Sequence, residues 1–208
     1  MRLFIALDIS DEVRRSVRTV IERLERELAA RGRGAARRPS PVRWVTDDRL
    51  HLTLRFIGEV PDAVADEIAA RLAPAYAMDP CPIFLSGLGV FPASGGPRVA
   101  WIGISEGADR VSSVHLETGR RLAGLPVRAD DRPFSPHLTL GRFRETAARY
   151  RHRLAELRGI DAGRCTIDHV TLYQSRLSPQ GPTYLPRLRT PLSRDRSTPS
   201  GTAEPGRR

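Results

Sequence analysis

His51-Leu52-Thr53-Leu54 and His137-Leu138-Thr139-Leu140 are the same tetrapeptide, repeated 86 positions apart. On a β-strand residues i and i+2 share a face, so each histidine stands beside its threonine while both leucines point into a core. Ordinary residue frequencies put Leu-Thr-Leu after a given histidine on the order of one time in a thousand. Two occurrences among five histidines therefore signal a repeated device.

Two imidazoles in one cleft form an acid and base pair. Near neutral pH one ring can be neutral and take a proton from water while the other is protonated and gives one to a leaving group. The hydroxyls of Thr53 and Thr139 suit the oxygens of an anion, and a guanidinium matches phosphate in bidentate fashion. By strict alternation Arg55 shares the His51 face. Arg142 does not share the His137 face by that count, although Gly141 allows a bulge that swings it round. His169-Val170-Thr171-Leu172 has a similar pattern but no counterpart in the first half, so a structural role is the expectation for His169. His115 and His152 fall on helical stretches among polar neighbours and are expected to be solvated.

The elements that must carry these motifs repeat in order. A strand at Leu3 to Ile9 leads through Ser10, a helix cap, into a helix with apolar positions Val13, Val17, Val20, Ile21, Leu24 and Leu28. Strands at Val42 to Val45 and Leu50 to Ile57 follow, then a helix opened by Pro61 and an extended stretch from Cys81 to Phe91. The turn Ala93-Ser94-Gly95-Gly96-Pro97 is read as the junction of two halves. Beyond it come a strand at Val99 to Ile104, a helix with Val111, Val114, Thr118, Leu122 and Leu125, and a strand at Phe134 to Phe143. A fourth helix is marked by Ala147, Tyr150, Leu154 and Leu157, and strands at Thr166 to Leu177 and Tyr184 to Leu188 end the series. His51 lies 48 residues after Leu3, and His137 lies 38 after Val99. This order predicts an α+β fold of two lobes related by a pseudo-twofold axis, each a largely antiparallel sheet with outer helices, and a catalytic cleft between them.

Composition narrows the chemistry. The chain has 208 residues, enough to bury a core without disulfides or metals. All 34 of its basic residues are arginine, so a phosphate-loop lysine, a Schiff-base lysine and a lysyl-nucleotide intermediate are excluded. Of the net charge of +10, residues 31–43 hold +5 and residues 191–208 hold +2, leaving +3 on the remainder. Both segments are rich in Pro, Gly and Ser, so the expectation is one domain over 1–190 with a mobile Arg/Gly loop at 31–43, followed by a disordered tail over 191–208. Basic charge alone is a modest pointer to RNA. Two distant cysteines, Cys81 and Cys165, fit reduced thiols, and no apolar run approaches the roughly 18 residues of a membrane span. A soluble, cytoplasmic monomer with no membrane partner is expected.

The paired His-x-Thr-x motifs resemble the two-histidine phosphoesterase superfamily. Within it, Arg2-Leu3-Phe4-Ile5-Ala6-Leu7, His51-Leu52-Thr53-Leu54-Arg55-Phe56-Ile57-Gly58, Arg132-Pro133-Phe134-Ser135-Pro136-His137 and Leu172-Tyr173-Gln174-Ser175-Arg176-Leu177-Ser178-Pro179 look like the bacterial and archaeal RNA 2',3'-cyclic phosphodiesterases, also called 2'-5' RNA ligases. The resemblance spans roughly residues 2 to 190. It implies a bilobal fold and cofactor-free, metal-independent hydrolysis of an RNA 2',3'-cyclic phosphate end to a 2'-phosphate, with reversible 2'-5' ligation as a related reaction. It also implies that His51 is the proton donor and His137 the acceptor, and that Thr53, Thr139 and Arg142 bind the phosphate. His169 inherits no role, and the Arg/Gly insertion departs from compact members.

Three other readings compete. A zinc hydrolase needs three or four close ligands, whereas each motif offers one histidine beside a threonine. A non-catalytic RNA-binding module with the same fold and a phosphodiesterase for another small cyclic phosphate both keep the motif and differ in turnover or substrate.

Overall fold

The computed structural model describes residues 1–29, 40–128, 133–145, 148–157, 159–179 and 181–193. Along them run β1 (Arg2–Asp8), α1 (Asp11–Ala29), β2 (Val42–Trp44), β3 (His51–Glu59), α2 (Asp62–Leu72), β4 (Cys81–Phe91) and β5 (Val99–Glu106). There follow α3 (Ala108–Arg121), β6 (His137–Phe143), α4 (Ala148–Ala155), β7 (Asp161–Ile167), β8 (His169–Ser178) and β9 (Gly181–Pro191). The α+β class matches the sequence reading, and so does the element order as far as α4.

One antiparallel sheet runs β7-β4-β5-β6-β3-β1-β8-β9, with β2 paired to β6. It divides into two four-stranded halves, β7-β4-β5-β6 and β3-β1-β8-β9, which meet where Leu52 lies opposite Leu138. These are the two lobes, but the chain does not fill them one after the other. Residues 81–167 supply the strands of one half, and both ends of the chain supply the other. The turn at 93–97 therefore closes the β4–β5 hairpin inside one half instead of joining two. The expected strand from Thr166 to Leu177 is two strands broken at Asp168, where the chain leaves the edge of one half and enters the other. Alternation alone marks extended chain and carries no information about which neighbour it pairs with.

Helices cover one face of the sheet. The apolar stripe Val13, Val17, Val20, Ile21, Leu24 and Leu28 of α1 is buried, and α1 lies against β7 and α4. Ser10 caps it by accepting the Val13 N–H at 3.3 Å. Helix α3 lies against β3, β4 and α2. Leu3, Ile5, Leu7, Leu52, Leu54, Ala100, Ile102, Leu138 and Leu140 fill this layer. Each fully buried leucine or isoleucine contributes about 1.5–3 kcal/mol relative to exposure, so the face of β3 and β6 that carries leucine is committed to the core. The opposite face is left for chemistry.

The expected loop and tail fall largely outside the described residues, which omit 30–39 and 194–208. Val42 and Arg43, claimed both by that loop and by the strand expected at Val42 to Val45, are in β2. Pro191 closes β9, Leu192 is buried, and the Ser193 N–H donates to the Tyr76 carbonyl at 2.9 Å. Among the described residues, no helix is long and apolar enough to cross a membrane.

Candidate active site

Leu52 lies opposite Leu138 on the buried face, so His51, Thr53, His137 and Thr139, which alternate with the motif leucines, share the opposite face. The two imidazoles therefore stand on one face of the sheet, on neighbouring strands. Beside them opens a cleft of about 250 Å³ lined by His51, Thr53, Thr139 and Arg142, together with Arg43 and Arg49. His137 is not among the lining residues. It shares this face with Thr139, two residues further along β6.

Both rings are held in the same way, each by the backbone carbonyl two residues earlier. His137 Nδ1 donates to the Ser135 carbonyl at 2.7 Å, which leaves the Nε2 lone pair free. His51 donates to the carbonyl of Arg49. Burial pushes the His51 pKa down to about 4, opposed by the Arg49 carbonyl and by the charge of Asp8, and reinforced by Arg14. Burial likewise lowers the pKa of His137, with the Ser135 carbonyl raising it and Arg142 lowering it. At neutral pH both rings are therefore neutral in the free site.

The arginines sort by a bulge that the two motif strands share. On β6, Trp101 pairs with Thr139 and Ala100 with Gly141, so one extra residue slips in and Arg142 comes onto the His137 face. Gly141 is needed there because a Cβ would stand 2.5 Å from Val42 Cγ1 and 2.8 Å from Trp44 Cε3. On β3, Ala6 pairs with Thr53 and Ile5 with Arg55, so the same slip turns Arg55 to the helical side. Its guanidinium donates to the Arg128 carbonyl at 3.0 Å and lies beside Gly119 of α3. Arg55, placed on the His51 face by strict alternation, is thus withdrawn from the cleft, and Phe56 lines it instead, 64% exposed. Arg43 and Arg49 were not foreseen as site residues. They arrive from β2 and from the short helical turn Asp47–Arg49, and both guanidiniums approach Gly181, where a Cβ would lie 2.7 Å from Arg49 Nη1.

Aromatic rings flank both histidines. Phe4 lies 4.9 Å from the His51 ring and stacks on Tyr173 at 5.1 Å, and Tyr184 meets His51 edge-on at 5.4 Å. Phe91 meets His137 edge-on at 5.1 Å, with Trp101 at 6.0 Å. The remaining histidines separate by surroundings. His169 is tied to Asp8 and Asp168. His115, expected to be solvated, stacks on Phe134 at 3.9 Å and contacts the Leu54 carbonyl, whereas His152 is exposed 3.7 Å from Glu156. Among the described residues, no group of three or more His, Cys, Asp or Glu could hold a metal ion.

Known proteins resemble this chain in sequence and in fold. The family model of the 2'-5' RNA ligase superfamily matches residues 11–178. An RNA 2',3'-cyclic phosphodiesterase of Aeropyrum pernix is 36% identical over 146 residues, covering 69% of this chain and 82% of the relative. One of Thermotoga maritima is 32% identical over 185 residues, covering 88% and 91%. A crystal structure of a Thermus thermophilus protein superposes with a TM-score of 0.68 at 28% identity, covering 92% of this chain and 98% of that one.

Proposed function

The chain belongs to the 2'-5' RNA ligase superfamily, and on that footing we propose that it hydrolyses an RNA 2',3'-cyclic phosphate end to a 2'-phosphomonoester by paired histidine catalysis. The observation that carries this reading is the pair of carbonyl-anchored imidazoles on one sheet face, across the join of the two halves.

Water attacks phosphorus in line with the P–O3' bond, and that bond breaks. Nε2 of His137 takes the water proton, since Nδ1 is committed to Ser135. His51 gives its proton to the departing O3'. A ring whose pKa is held near 4 is a poor proton carrier in the free site, and the negative charge of the bound phosphate favours its imidazolium form. Thr53, Thr139 and Arg142 neutralise charge on the equatorial oxygens, and Arg43 and Arg49 add to the field at the same cleft. A 5'-hydroxyl in place of water gives a 2'-5' diester through the same two proton transfers, which accounts for ligation as a side of one chemistry. No step calls for a metal ion.

The test is incubation with a nucleoside 2',3'-cyclic phosphate, with the product isomer read by phosphorus NMR. A 2'-phosphate, formed equally in the presence of EDTA, is the expected outcome. A 3'-phosphate product overturns the leaving-group assignment. Retained RNA binding without turnover favours the non-catalytic module.

A further inference from the structure

The third histidine motif has a place in the site although it is not part of the reacting pair. Asp8 ends β1 directly opposite His51 in the β1–β3 register. Its carboxylate is held from β8 at three points. Tyr173 donates to Oδ1 at 2.6 Å, Thr171 donates to Oδ2 at 2.8 Å, and Nε2 of His169 meets Oδ2 at 2.9 Å. Arg189 of β9 stands 3.6 Å from Oδ2, and His169 is itself steadied by Asp168 through Nδ1. Three donors on one half-buried carboxylate are far more than a surface aspartate needs.

We propose that Asp8 is a positioning residue for His51, its carboxylate fixed by the His169-Val170-Thr171-Leu172 strand so that a negative charge faces the ring that must arrive protonated. The proposal rests on the acid role given to His51 above. Burial alone raises the carboxyl pKa of Asp8, and the hydrogen bonds from Tyr173, His169 and Thr171 outweigh it, so the group stays ionised. Other groups near His51 do not supply this charge. Arg14 of α1 opposes it, the Arg49 carbonyl is neutral, and burial raises the hydroxyl pKa of Tyr173 to about 12 and that of Tyr184 above its ordinary value. Among these groups Asp8 alone contributes an anion.

The kcat/KM profile against pH separates this role from a structural one. On the alkaline arm the rate follows the fraction of His51 that is protonated, and on the acid arm it follows the fraction of His137 that is free of its proton. Asp8→Asn therefore lowers the alkaline arm about tenfold, the effect of losing one nearby opposite charge, and leaves the acid arm in place. Asp8→Glu restores it. Equal loss on both arms overturns the proposal, as does no change.

A rise on the acid arm with the alkaline arm unmoved shows Asp8 acting on a base, which overturns the acid assignment of His51 but not the coupling. Proton NMR of the His51 ring without substrate reads the coupling even if no cyclic phosphate turns over. Its titration midpoint falls in Asp8→Asn, and an unmoved midpoint overturns the proposal. Tyr173→Phe frees the carboxylate at one point and gives a smaller drop on the same alkaline arm. It serves if Asp8→Asn does not fold, and there too an equal loss on both arms overturns the proposal.

Discussion

The two halves of the sheet repeat a tetrapeptide and differ in nearly everything that touches it. Each ring is anchored by the carbonyl two residues before it, and each motif strand slips by one residue after the threonine. Across from His51 on β1 stands Asp8, whereas across from His137 on β5 stands Gly103. Five positions after the histidine, the slip presents Phe56 in one half and Arg142 in the other. The repeat sets where the imidazoles point, burial lowers both of their pKa values, and the unrepeated neighbours bias each ring differently. The Asp8 carboxylate raises the His51 pKa against burial and Arg14, whereas the Arg142 guanidinium lowers that of His137 in the same direction as burial.

The largest effects that can break this contrast come from the rings. His51→Ala and His137→Ala each reduce kcat/KM by roughly a hundred- to ten-thousandfold, and the surviving pH profiles differ. The first variant loses its alkaline arm and the second its acid arm; identical profiles would mean that the halves are not specialised. His169→Ala, which only loosens the hold on Asp8, falls by no more than several-fold in the same assay.

Arg142→Ala sharpens the contrast from the basic side. Losing a charge-assisted phosphate contact costs about ten- to a hundredfold in kcat/KM. Removing that positive charge also raises the pKa of His137, so the acid arm moves to higher pH. An acid arm that stays put would show that Arg142 acts on the substrate alone. Gly141→Ala forces a methyl against Val42 and Trp44, and a thermal melt is expected to show about 1–3 kcal/mol of lost stability. An unchanged melt would mean that β2 is not seated against the bulge.

Much of this was open to reading in advance. The motif residues announce themselves by repetition, and α1 by the 3.6-residue spacing of Val13, Val17, Ile21, Leu24 and Leu28, because one buried stripe enforces that period. Arg142 is legible through the glycine before it and through the family resemblance. Arg55 was misread because the slip on β3 falls at Leu54, a residue with no glycine beside it to mark a bulge. Arg43, Arg49 and Tyr184 carried no signal at all, since they reach the cleft through pairings between distant segments. Nothing in the sequence sets Asp8 apart within the strand expected at Leu3 to Ile9. Its meaning depends on β8, some 160 residues later in the chain, lying alongside β1.

Synthesis from the ribosome meets the two halves at different times. The four strands β7-β4-β5-β6 of the half that holds His137 come from one unbroken stretch, residues 81–167, and can pair as soon as it has emerged. The strands around His51 include β8 and β9, the last to be made. A nascent chain halted before residue 168 carries His137 in its own completed half-sheet, and His51 beside an Asp8 whose β8 partners are not yet made.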